Sequence, residues 1–192
     1  MKVMLFTSAA IVASVLLAVP TARADQWNQK TTMTFNEPVE IPGHALQPGT
    51  YVFKLLNPGL DPNVVEVYNK NENHLYGIFL TIPDYRLAPT GKVIVTFAER
   101  PVGAPDALQA WFYPGDTYGH EFVYPHSEAM RLARANNRPV ASMPDEDFNS
   151  QATGANDPSV QAMRQAHVQA VMPNGKTVET GTVFGTAAPN NH

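Results

Sequence analysis

The chain has 192 residues, with 13 Lys and Arg against 17 Asp and Glu, a formal net charge of −4, and no cysteine. A mildly acidic chain without a basic block argues against nucleic acid or anionic lipid as the main partner, since both demand positive clusters. The lack of cysteine excludes disulfides, thiolate metal sites and a cysteine nucleophile together.

The N-terminus reads in three parts: Lys2 as a short positive start, the almost wholly apolar run Val3 to Val19, and Pro20 followed by Ala22-Arg23-Ala24. The last tripeptide has the small–any–small pattern that signal peptidase needs, because only small side chains fit its two subsites. Residues 1–24 are therefore predicted to be a cleavable export signal, with the mature chain starting at Asp25 and no membrane span left after cleavage. Its destination is periplasmic or extracellular. Removing Lys2 and Arg23 leaves 11 basic against 17 acidic residues, a net charge of −6.

Beyond the signal the hydrophobic period is two rather than 3.6. Trp27, Thr31, Met33 and Phe35 alternate with polar neighbours, as one face of a strand does. A short strand follows at Val39–Ile41, bounded by Pro38 and Pro42. The Pro48-Gly49 turn leads into the β-prone run 50–56. Val64–Tyr68 and His74–Leu80, joined by the polar stretch 69–73, form the clearest hairpin. Further strands are predicted at Lys92–Ala98, Ala107–Tyr113 and Gly119–Tyr124. One helix is predicted from Glu128 to Ala135, capped by Ser127 and stopped by Pro139, with Ala129, Leu132, Ala133 and Asn136 on one face. Of the 17 aromatic residues after the signal, 15 lie between Trp27 and Tyr124, and no Leu or Ile follows Leu132. These observations predict a mainly β protein: a single antiparallel β-sandwich of about eight strands, with a C-terminal helix, spanning 25–140. Residues 141–192 are predicted to be a weakly ordered linker and flexible tail, with a short helix at 159–171.

Three constellations bear on chemistry. His120-Glu121-Phe122-Val123-Tyr124-Pro125-His126 superficially resembles a zinc-protease motif, but its histidines are six positions apart rather than four, on a β-prone segment. His120 and His126, with Asp116, would suit zinc or copper only if the fold brought them together. Ala110-Trp111-Phe112-Tyr113 puts Trp111 and Tyr113 on one face of a strand and Phe112 on the other. With Tyr118, these rings either form an exposed platform for a sugar or peptide, or lie buried between the sheet and the helix. Arg131, Arg134 and Arg138 make a basic stripe that either docks an anionic partner or answers the helix dipole. No Gly-x-Ser-x-Gly elbow, facing acid pair or phosphate-cradling glycine loop occurs.

The stretch Ala110–Asp116 and the stretch Gly119–Pro125, leading into the Ala-rich helix, resemble a group of uncharacterised exported bacterial proteins. In these a β-domain ends in a Gly-x-Glu-Phe-Val-Tyr-Pro strand. Leu46-Gln47-Pro48-Gly49-Thr50-Tyr51 is similar to the Leu-Pro-Ala-Gly-Thr-Tyr start of the same group. The resemblance implies export and a β-domain, and assigns no activity to any residue. The resulting expectation is an exported, non-enzymatic binding or envelope-associated interaction module with no cofactor, its partner a protein or glycan. The alternatives are a periplasmic metal or small-molecule binding protein and a carbohydrate-binding or carbohydrate-active protein.

Overall fold

The computed structural model describes residues 29–98, 100 and 103–184. The segment 1–24, expected to be an export signal, and Trp27 lie outside them. Strands take up 46% of the structure and helices 16%, so the fold is mainly β. Nine strands form one hydrogen-bonded sheet: β1 (Lys30–Phe35), β2 (Val39–Ile41), β3 (His44–Leu46), β4 (Gly49–Asn57), β5 (Asp61–Asn69), β6 (Leu75–Tyr85), β7 (Ile94–Ala98), β8 (Asp106–Phe112) and β9 (Tyr118–Phe122). Their order is β1-β4-β5-β6-β9-β8-β2-β3, with β7 on the free side of β8.

Two features depart from the expected antiparallel sandwich. The strands run on through one sheet, and β2 joins β8 in parallel, Val39 opposite Asp106, so that sheet is mixed. The unexpected strand is β3. Pro42 and Gly43 form the turn between β2 and β3, Gly43 at φ +84°, a backbone conformation that favours glycine. The turn pairs Ile41 with His44 and creates the short edge hairpin.

The second sheet lies beyond β9. It contains β10 (Tyr124–Pro125), which leads through helix α1 (His126–Asn136) to β11 (Val140–Met143), laid parallel to β10. A crossover of this kind is what a parallel pair requires. Helix α2 (Pro158–Gln165) and strands β12 (Gln169–Val171) and β13 (Thr177–Glu179) complete the described chain. The second sheet runs β10-β11-β12-β13. Among the described residues, no helix is long and apolar enough to cross a membrane.

The expectation of a loose segment after 140 fails for its described part. Ala141, Met143, Ala152, Val160 and Met163 are buried, packed against Val64, Ile78 and Leu80 of the main sheet and against Val123, the link between β9 and β10. Alternation explains the site of this second core. Val65, Val67 and Phe79 face one way and join Phe53, Trp111 and Phe122. Their neighbours Val64, Ile78 and Leu80 face the other way and need a second layer. Each such buried side chain contributes roughly 2 kcal/mol of hydrophobic stabilisation, and Val and Met supply it where Leu and Ile are missing.

The helix ends also differ in detail. Ser127 does not cap α1; Pro125 occupies the cap position, with no side-chain cap bond. Instead Asp145 reaches back, its Oδ1 accepting from the Ser127 backbone N–H at 3.0 Å and the Ser127 hydroxyl at 3.1 Å. Ala129, Leu132 and Ala133 form the buried stripe as predicted. Helix α2 starts on an Asp157 cap, with Pro158 in its first turn, and stops at Gln165 rather than continuing to 171. Residues 169–171 pair instead with β11, Val171 opposite Val140.

Candidate functional site

Trp111 and His120 are direct partners across β8 and β9, so both point into the interior. His120 is 1% exposed and Trp111 0%. The imidazole Nε2 lies 3.2 Å from Gln29 Oε1, and Gln29 Nε2 donates to Asp116 Oδ2 at 2.8 Å. On its other side, His120 Nδ1 lies 3.4 Å from the Thr81 hydroxyl, which donates to the Asn63 carbonyl at 2.9 Å. Tyr118 donates to Asn63 Oδ1 at 2.7 Å and sets its ring edge-on to His120, 5.1 Å between centroids. Burial holds the imidazole well below its ordinary value, at about 4. A neutral ring donating from Nε2 to Gln29 Oε1 fits the first contact; the Thr81 hydroxyl, its proton given to Asn63, stands beside the unprotonated Nδ1 without bonding it. Gly119, beside it, has no room for a side chain: a Cβ there would meet the Phe112 ring at 2.4 Å.

Asp116 and His120 therefore do meet, through Gln29. His126 does not join them; it opens α1 and lines a separate cleft with Asp145, Glu146 and His167. Among the described residues, no group of three or more His, Asp or Glu side chains is placed to hold a metal ion. The expected His120–His126–Asp116 metal set is corrected accordingly, because the histidines sit on different elements and the His120 nitrogens already face partners. Of the two readings of the aromatic set, Trp111 follows the buried one, packed against Phe53, while Tyr113 and Tyr118 are half-buried.

Glu121 stands opposite Ala110, on the side away from Trp111. Between the β8–β9 pair and the C-terminal half of α1 lies a cavity of about 370 Å³, reached by residues of both faces, Glu121 and Phe122. That is the lower end of the roughly 300–1,000 Å³ typical of small-molecule sites. Apolar walls come from Leu108, Phe122, Tyr124, Leu132 and Val140, and polar groups from Arg100, Gln109, Glu121, Asn136 and Arg138. Arg100 Nη1 donates to Glu40 Oε2 at 2.6 Å, and Arg131 bonds the other oxygen of that carboxylate. The Tyr124 hydroxyl donates to the Leu108 carbonyl at 2.7 Å, tying the helix start to β8.

Two polar atoms at this cavity, Arg100 Nε and Asn136 Oδ1, are buried and have no hydrogen-bond partner among the described residues. Glu121 adds a third feature. Burial, helped by the nearby Asp84 charge and opposed by Arg138, pushes its carboxyl up to about 8, so it is largely protonated at neutral pH. A carboxyl held neutral in a cavity is the kind of perturbed group that marks functional sites.

No family model, curated protein or solved structure matches this chain. The site therefore rests on its own geometry. Sequence reading singled out none of Arg100, Gln109 or Glu121 as a site residue. It placed Asn136 on the buried helix face and Arg138 in a basic stripe, which the structure splits. Arg131 bonds Glu40, and Arg138 lies past the end of α1, beyond Asn137 at φ +51°. The one available signal was Glu121, an acid within a strand bounded by two apolar cores.

Proposed function

We propose that this protein is an exported, non-enzymatic binding protein that holds a small molecule between α1 and the β8–β9 pair. The observation that carries this reading is one cavity of about 370 Å³ with apolar walls, on which the polar side chains of Arg100, Gln109, Glu121 and Asn136 converge. Export rests on the signal-like segment 1–24 and on the resemblance to exported β-domain proteins. The main sheet serves as a sandwich-like scaffold. Phe35 on β1 meets Phe97 on β7 edge to face, 6.1 Å between centroids, which supports two facing halves across one interior. A glycan platform has less support, because Trp111 is interior.

Binding to the native form alone raises the melting temperature. A panel of small acids, amines and neutral compounds is expected to contain at least one that does so. Ala135→Trp, which fills the cavity from α1, is expected to abolish that rise. A panel without effect, or a rise indifferent to Ala135→Trp, contradicts the reading.

A further inference from the structure

Resting on the binding site just proposed, we infer that its ligand class is a small organic amine, the ammonium seated on the Glu121 carboxylate. Glu121 is 6% exposed and lines the cavity, yet no donor among the described residues bonds its carboxyl. Its oxygens are not enclosed, unlike Arg100 Nε and Asn136 Oδ1, so a ligand reaches them. An ionised carboxylate can only accept hydrogen bonds, and an ammonium, which only donates, is its natural complement. Gln109, also at the cavity, offers an amide oxygen as a further acceptor.

The charges around the seat point the same way. Ile82 of β6 stands opposite Glu121, and Asp84, two residues on, shares its face. Seen from Glu121, repulsion by Asp84 outweighs attraction by Arg138. Arg86 acts on Asp84 and lies over the Phe112 ring. The remaining guanidiniums are matched: Arg100 and Arg131 bond Glu40, and Glu128 stands beside Arg131 and Glu40. An anion therefore meets two carboxyls and no unshared guanidinium, whereas a cation relieves the crowding of Asp84 and Glu121. The walls Leu108, Phe122, Leu132 and Val140 favour an organic cation with a compact apolar body over a hydrated metal ion. Empty, the Glu121 carboxyl keeps its proton at neutral pH; an arriving ammonium displaces that proton to the solvent.

The test is calorimetric titration of the purified protein with three probes of one shape: benzylamine, benzyl alcohol and benzoate. Benzylamine is expected to bind first, the alcohol at least tenfold weaker, and benzoate not at all. Repeating the amine titration at pH 6.5 in buffers of different ionisation heat should show close to one proton released per ligand. Affinity for the amine should rise about tenfold from pH 6 to 7. Glu121→Gln is expected to abolish the proton release and the advantage of amine over alcohol while keeping alcohol binding. Alcohol or benzoate binding as tight as the amine, abolished by Ala135→Trp, overturns the amine assignment and leaves the binding site standing. Amine binding without proton release overturns the seat on Glu121. Absence of binding by all three probes overturns the amine assignment. Tight amine binding that Ala135→Trp does not alter overturns the assignment together with the site.

Discussion

Glu121→Gln gives the sharpest physical handle on the cavity. The native carboxyl titrates at about 8 against an ordinary 4.5, because burial disfavours its charge and Asp84 repels it, with Arg138 in partial compensation. A folded-state value raised in this way gives stability that is full below pH 4.5 and is lost as pH rises towards 8. At about 1.4 kcal/mol per pH unit, the whole loss is roughly 5 kcal/mol. His120 runs in the opposite sense. Its folded value of about 4 lies below 6.5, so its contribution is present above pH 6.5 and disappears as pH falls towards 4. Between about pH 4.5 and 6.5 the two slopes cancel, and between 6.5 and 8 only Glu121 acts. Wild-type stability is thus expected to be flat from pH 4.5 to 6.5 and then to fall by about 2 kcal/mol up to pH 8. Glu121→Gln keeps the hydrogen-bonding shape without the titration. Its stability should rise from pH 4.5 to 6.5 and stay level beyond. Urea unfolding at pH 5, 6.5 and 8 measures this directly. A wild-type curve parallel to that of the variant would refute the buried, neutral carboxyl.

Three further outcomes follow from the packing. Trp111→Ala should cost about 3–5 kcal/mol by cavity formation and should leave ligand affinity at the α1 cavity within a few-fold, as denaturation and calorimetry would show. An exposed binding platform would give the reverse: little loss of stability and lost binding. Deleting residues 141–192 should uncover Val64, Ile78, Leu80 and Val123 and turn cooperative unfolding into a broad transition with dye binding. Unfolding as sharp as in the full chain would return this segment to the status of a linker. Asp145→Ala removes the acceptor for the first turn of α1 and should lower stability by about 1 kcal/mol, whereas Ser127→Ala should cost less because the backbone N–H bond to Asp145 remains.

Much of the fold was legible because alternation is a local signal. The strands around Val52, Val65, Phe79, Val95 and Trp111, the helix stripe Ala129–Leu132–Ala133 and the β-rich character all follow from spacing alone. What escaped depended on partners far along the chain. The stretch 141–184 lacks Leu and Ile, so taken by itself it has too little apolar area to fold. Yet Val64-Val65 and Ile78-Phe79-Leu80 are apolar at both parities, which already demanded cover on two faces. Asp145 capping Ser127 across 18 positions is likewise invisible to a local capping rule. The metal set failed because sequence proximity of His120 and His126 says nothing about direction once Pro125 separates strand from helix. The cavity residues were hidden for the same reason. Arg100, Glu121 and Asn136 come from three segments whose meeting is a property of the β10-α1-β11 crossover.

The account stands on the space between α1 and the β8–β9 pair being where a ligand sits. Crystals of the protein soaked in 4-bromophenol, a compact ring that fits apolar walls, test this most directly, through the anomalous signal of bromine. The predicted result is one peak between Leu108 and Leu132. A peak beside His120, or in the cleft of His126 and His167, would contradict it.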